Sequence, residues 1–392
     1  MAKPSEPSST ASPRIDRAGF QALIELLRKL GFTVIGPRIR DGAIVYEETA
    51  SPADFPIGWT DDQEGGKYRL KKKKNTTWFC YTVGPQSWKK YLWPAHQFLW
   101  KAQRNESGFQ ITGNHRASPA YAFIGVRPCE LAAIALHDRV FLQGPFRDPG
   151  YQNLREKLFV VAVNCAKAGG TCFCASLKTG PKAAAGFDLA LTELYDSERH
   201  DFLVETGSER GREILQQIPQ ETASKKDMDL AEALLHKSAA SLGRTLDTEG
   251  LKELIYRNLE HPLWDEIASR CLSCGNCTLV CPTCFCTSVE DSTSLTGDHA
   301  ERGRAWDSCF TLDFSYIHGG SVRASPKARF RQWMSHKLAT WQDQFGAPGC
   351  VGCGRCITWC PVGIDITREA EALRESERPS GKTRVGVQGG PV

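Results

Sequence analysis

The sequence predicts an α+β fold: an N-terminal α/β domain over residues 15–260 and a mostly helical C-terminal domain over residues 261–370. Three observations predict it. Apolar runs of strand length, at Tyr121–Val126 and 158–163, stand among helical repeats in the first two thirds of the chain. His261-Pro262 breaks the last of those repeats. Beyond the break, the run Cys271-x-x-Cys274-x-x-Cys277-x-x-x-Cys281-Pro282 returns as Cys350-x-x-Cys353-x-x-Cys356-x-x-x-Cys360-Pro361.

The elements follow in order. Residues 1–14 and 371–392 are polar and rich in Pro or Gly, and are expected to be disordered. A helix is expected over 16–30, where Phe20, Leu23, Ile24, Leu27 and Leu30 repeat at helical spacing and Gly31 suits the cap. Strand-like runs follow at 33–35, 43–46 and 77–83. The segment 120–163 reads as α/β: strand Tyr121–Val126, a turn at 127–130, a helix over 131–141 and a fully buried strand at 158–163. Three helical patterns occupy 208–259. In the C-terminal domain, residues 282–349 form an insertion between the cysteine runs, with a helical stretch at 326–345. Its aromatics Trp306, Phe314, Phe330, Trp333 and Trp341 are expected in the core, secondarily as a dry shell around the cysteines.

Composition is ordinary for a globular chain, 41% hydrophobic and 24% charged, and 392 residues allow more than one core. The formal charge of +4 is small for this length and makes no case for nucleic acid or anionic lipid. The lysines at 71–74 read as a solvated loop or hairpin tip, or else as a docking patch for an acidic partner. Sixteen cysteines are the anomaly. Residues 1–13 have no apolar signal-peptide core and no twin-arginine pair, and no apolar stretch approaches the ~18 residues of a membrane span. The thiols are therefore expected in a reducing cytoplasm, where Cys-x-x-Cys patterns read as metal sites.

Each cysteine run has the bacterial-ferredoxin spacing, which makes the C-terminal domain a ferredoxin-like holder of two 4Fe-4S clusters. Three cysteines spaced three apart wrap a tight loop around one cube, and the fourth points away to the other cube. Cys271, Cys274, Cys277 and Cys360 are thus expected on one cluster, and Cys350, Cys353, Cys356 and Cys281 on the second. Gly275, Gly352 and Gly354 would let backbone N–H groups approach the sulfides. Zinc is the competing occupant, but it needs neither the triple spacing nor the trailing Cys-Pro.

Eight cysteines remain. Cys80, inside the run 77–83, reads as a small core hydrophobe. Cys129 and Cys165 each follow an apolar strand, at the sheet edge where α/β proteins bind ligands, and Cys172 and Cys174 stand in the Gly-rich loop beyond. These four are candidate ligands of a third 4Fe-4S cluster; the alternative is a set of buried thiols. Cys284, Cys286 and Cys309 either supply one ligand there or pack beside a cluster. The chain carries no Gly-x-Gly-x-x-Gly between strand and helix, no P-loop and no nucleophile elbow, so no catalytic residue or nucleotide site is expected. Every Cys-x-x-Cys pair is taken by iron, which leaves none for nickel.

The motifs at 84–87 (GPQS), 125–130 (GVRPCE), 171–174 (TCFC), 179–181 (TGP), 281–286 (CPTCFC) and 306–309 (WDSC), together with the two runs, resemble those of the beta subunit of cytoplasmic NAD(P)-linked nickel–iron hydrogenases, also called sulfhydrogenases. The A subunit of anaerobic sulfite reductase belongs to the same family. The resemblance spans roughly residues 20–370. It implies an electron-transfer chain set between a nickel–iron hydrogenase pair, the large and small subunits, and a subunit that carries FAD and a 2Fe-2S cluster and binds NAD(P). It implies no nucleic-acid or membrane partner. The other readings are an electron-transfer subunit of a sulfite reductase, an oxidoreductase with its own flavin pocket, and clusters that act only as folding staples.

Overall fold

The computed structural model describes residues 12–113, 118–196 and 199–378. The expected disordered ends lie mostly outside these residues. Within them, Pro13 and Arg14 begin a strand, and a helix, Ile366–Ser376, runs into the segment 371–392.

An eight-stranded mixed sheet organises the N-terminal part, in the order Glu221–Thr222, Pro13–Asp16, His200–Thr206, Leu189–Tyr195, Phe159–Val163, Tyr121–Val126, Thr33–Arg40 and Ala43–Glu48. The pairs from Leu189–Tyr195 across to Thr33–Arg40 are parallel. Side chains of successive residues point to opposite faces, so a strand buried on both sides reads as one apolar run. Ile124 and Val161 pack with Phe20, Leu23, Ile24 and Leu27 of the helix Arg17–Lys29. Phe123, Val160 and Ala162 face the other way, onto Leu131, Ile134 and Phe141 of the helix Pro128–Leu142. That helix begins at Pro128, earlier than the expected 131, because proline suits a first helical turn.

The run 77–83 is not a strand. Its backbone groups are taken by buried side chains instead of a neighbouring strand. Phe79 N donates to Glu193 Oε2 at 2.9 Å and Thr82 N to Asp61 Oδ1 at 2.8 Å, while Phe79 O and Tyr81 O accept from Arg127 at 2.8 and 2.7 Å. Cys80 is consequently half-buried, with Lys73 Nζ 3.6 Å from its sulfur, and does not fill the core as expected.

The lysines 71–74 are exposed; Lys71 and Lys72 lie on the second strand of the hairpin Trp59–Glu64/Lys67–Lys72, away from its tip. The tip, Gly65 and Gly66, rests on the second cysteine run, with Gly66 N donating to Ile357 O at 3.1 Å.

The insertion adds a β-hairpin that the sequence reading did not contain, Thr287–Thr293 paired with His299–Trp306. It joins His96–Asn105 and Gly108–Gly113 in a second, four-stranded sheet, which thus draws strands from both sides of residue 261. The stretch 326–345 is helical as expected, with a π turn at His336–Thr340. Phe330, Trp333 and Trp341 are buried, whereas Trp306 and Phe314 are only half-buried. No helix among the described residues is long and apolar enough to cross a membrane.

Candidate metal centre

All sixteen cysteines are free thiols; the fold gathers twelve of them into three neighbourhoods and sets Cys284, Cys286 and Cys309 beside a pair of buried lysines. The first run follows the helix Leu263–Arg270, and the short helix Asn276–Leu279 opens at Gly275 in the left-handed conformation. Cys271, Cys274 and Cys277 line one apolar cavity together with Cys360 of the other run, closed by Phe310, Phe330, Trp333 and Ile364. Backbone N–H groups aim at the sulfurs: Ser273 N is 3.4 Å from Cys271 Sγ and Ile364 N is 3.3 Å from Cys360 Sγ. Burial pushes the Cys277 thiol well up, and the neighbouring charges of Cys271 and Cys360 push it further.

The second run repeats the arrangement around Cys350, Cys353 and Cys356. Cys281 is the fourth sulfur there: burial and then the charges of Cys350, Cys353 and Cys281 raise the Cys356 thiol. Thr283 ties Cys281 in place, 3.2 Å from its sulfur, and donates to Gly349 O at 2.7 Å. Each run therefore lies beside the trailing cysteine of the other.

Cys129, Cys165, Cys172 and Cys174 line a third cavity at the carboxyl ends of the strands Tyr121–Val126 and Phe159–Val163. A bulge sets the first strand's exit. Gly125, at φ +91°, interrupts the register between Ile124 and Val126, and a side chain there would also crowd Phe79 and Pro37. Arg127 is fully buried beside the cavity and its charge opposes the burial that raises the Cys165 thiol. Burial likewise raises Cys129 and Cys172, and carries Cys174 to about 12. Such thiols stay protonated at neutral pH unless a metal takes the proton's place.

The second run closes this cavity. Cys353 lines it, Cys172 Sγ lies 3.6 Å from Cys353 O, and Phe173 N donates to Gly352 O at 2.8 Å. Gly352 and Gly354 have φ of +64° and +75°, and an added Cβ would stand 2.7 Å from the Cys174 backbone and 2.4 Å from Thr171 O. Their small size serves this contact between loops, beyond the approach to sulfides expected from sequence.

Sequence reasoning missed the buried cations. Glu130 and Arg355 form a fully buried ion pair, with Arg355 also donating to Gly84 O and Gln86 O at 2.9 Å each. Burial opposes the Lys337 ammonium, but the thiolates of Cys281, Cys284 and Cys350 outweigh it and hold its pKa well up. For Lys89 burial wins and lowers the pKa. Cys284, Cys286 and Cys309 are absent from the third cavity and lie beside these lysines.

Among the described residues no three Cys, His, Asp or Glu side chains close in as a single ion requires. The donor set is otherwise all sulfur and the walls are apolar, which fits clusters several atoms across. A wide cleft of ≈ 590 Å³ near Tyr91, Tyr121, Tyr151 and Arg304 has no cysteine in its lining.

A family model for a 4Fe-4S dicluster domain matches residues 270–364, the interval holding both cysteine runs. Sulfhydrogenase 2 subunit beta of Pyrococcus furiosus is 32% identical over 290 residues, covering 73% of this chain and 82% of that protein. No solved structure matches. With its runs, its interlocked loops and this relative in agreement, the chain belongs to the family of sulfhydrogenase beta subunits, iron–sulfur electron-transfer proteins with a 4Fe-4S dicluster domain.

Proposed function

We propose that the chain relays electrons inside a cytoplasmic complex, between the large and small subunits of a nickel–iron hydrogenase and a subunit that carries FAD and a 2Fe-2S cluster and binds NAD(P). Its own ligand sets are Cys271, Cys274, Cys277 and Cys360; Cys350, Cys353, Cys356 and Cys281; and Cys129, Cys165, Cys172 and Cys174. When bound, the clusters supply one-electron transfer; the protein's part is to hold them close and dry. The observation that carries this reading is Cys353. It belongs to the second ferredoxin-type set and also lines the third cavity, while Cys356 of the same run lines the first. The three sets are therefore contiguous, as a relay needs and separate folding staples do not.

Two measurements test it. Anaerobically purified chain should hold at least about eight irons and eight acid-labile sulfides for the two ferredoxin-type sets, with about four more lost in Cys165→Ser. Stoichiometric zinc with little iron sinks it. In the assembled complex, Cys277→Ser should suppress hydrogen-driven NAD(P)⁺ reduction while leaving dye reduction at the nickel subunit intact. Equal loss of both activities would count against a relay.

A further inference from the structure

One ligand of the first set is reached from outside. Cys360 lines both the first apolar cavity and a surface cleft of ≈ 700 Å³. Trp59, Tyr68, Arg69 and Leu70 of the hairpin Trp59–Glu64/Lys67–Lys72 form one wall of that cleft, and Trp359, next to Cys360 in the chain, forms the other. The Tyr68 and Trp359 rings meet with their centroids 5.1 Å apart. The bond from Gly66 N to Ile357 O fixes the hairpin against the cysteine run, so the two walls move together.

The rim of the cleft is basic. Alternation along the strand places Lys72 on the face of Tyr68 and Leu70, and the register sets it opposite Trp59. Lys73 and Lys74 follow it, Lys67 and Arg69 precede it, and all five are exposed. The carboxylates of the hairpin and cleft are already paired: Asp61 with Lys167 at 3.2 Å, Asp62 with Lys71, Glu64 with Arg244 at 3.0 Å and Asp41 with Arg40 at 4.0 Å. Among the described residues, no carboxylate pairs with Lys67, Arg69, Lys72, Lys73 or Lys74.

Such a surface does not suit a permanent subunit contact. Lysine is depleted from the core of stable interfaces, where its ammonium would lose water and its long side chain its freedom. It suits a brief electron-transfer encounter, whose small interface leaves the charges at a wet rim, where they steer an oppositely charged partner.

We propose that this cleft is the docking face for a small, soluble, acidic electron-carrier protein that exchanges single electrons with the cluster of Cys271, Cys274, Cys277 and Cys360. In each encounter the reduced carrier is oxidised by one electron and that cluster is reduced by one; no bond forms and no proton moves. The proposal rests on the relay reading, since the first set must hold a reducible cluster, and adds a partner outside the relay.

The test uses the full chain, loaded anaerobically with iron and sulfide, and a reduced acidic 2Fe-2S ferredoxin as the probe. Stopped-flow absorbance follows electron transfer to the chain. The second-order rate should fall steeply as salt rises, and at low salt it should fall at least about tenfold in Lys72→Glu/Lys74→Glu. Lys225→Glu/Lys226→Glu makes the same change of charge on the exposed start of the helix Lys225–Ala240 and should leave the rate as it is. A flat salt profile in the unsubstituted chain, an unchanged rate in Lys72→Glu/Lys74→Glu, or an equal fall in both variants overturns the proposal. If dithionite reduces the chain but the ferredoxin does not, the docking face is wrong and the relay stands. If dithionite reduces nothing, the relay reading falls and takes the proposal with it.

Discussion

A single buried ion pair fastens the second cysteine run to the sheet domain. Glu130 sits in the first turn of the helix Pro128–Leu142, one residue after Cys129, and Arg355 one residue before Cys356. Burial raises the Glu130 carboxyl, and the Arg355 charge is the largest influence holding it ionised. Removing one partner leaves the other charged and dry, a loss of about 3–5 kcal/mol, whereas replacing both by apolar groups is close to neutral. Glu130→Met should therefore lower the urea midpoint for bleaching of the visible absorbance, and Glu130→Met/Arg355→Met should restore most of it. A single variant as resistant as the unsubstituted chain would refute this. The two cysteine runs were legible in the sequence because their spacing is local: three residues decide which way a thiol faces. The partner of Arg355 was not, since more than two hundred residues separate it from Glu130 and only the folded loops bring them together.

At the level of elements, apolar pattern recovered what lies at the centre of the sheet and failed where polar side chains replace the ladder. The strands Tyr121–Val126 and Phe159–Val163 are apolar on both faces and read directly. Leu189–Tyr195 and His200–Thr206 went unread because Thr192, Glu193 and Asp201 are buried within them. Glu193 is there to take the backbone of 78 and 79, which is also why 77–83 is no strand.

Capping makes a testable case in the same domain. Ser224 opens the helix Lys225–Ala240, and Asp227 accepts in return from Ser224 N at 2.9 Å while pairing with Arg199 at 2.6 Å. Burial opposes the Asp227 carboxylate, but Ser224 and Arg199 outweigh it and hold the pKa at about 2, below the ordinary 3.8. A depressed carboxyl stabilises the fold fully above its ordinary value and loses that contribution as pH falls towards about 2. Ser224→Ala should thus cost the helix about 1 kcal/mol of local opening free energy, equally at pH 6 and pH 8. Amide hydrogen exchange across residues 225–240 measures it, and a cost that changes between those two pH values would show that another group is responsible.

Over the whole molecule, the two cysteine-bearing parts are cooperative neighbours, and this sets what a fragment can do. Val83, Cys129, Ala133, Leu136 and Cys174 share one core cluster with Trp341, Val351 and Cys353. Phe173, between two of the third set's cysteines, is buried in the C-terminal core with Trp264, Phe310 and Trp333. A chain ending near residue 260 would strip those walls, expose Phe173 to water and leave the loop at Thr171–Cys174 without Gly352 and Gly354 to lean on. Burying a phenylalanine side chain contributes about 1.5–3 kcal/mol, and several such residues would be uncovered at once. The proposed third set is therefore expected to need the C-terminal part of the chain even though all four of its cysteines precede residue 260. Residues 1–260 reconstituted alone should bind no stable cluster, while the same fragment mixed with residues 261–392 should regain about four irons beyond those of the C-terminal piece by itself. A lone N-terminal fragment that holds four irons with a cubane spectrum would show that its thiol cavity is complete without the second run.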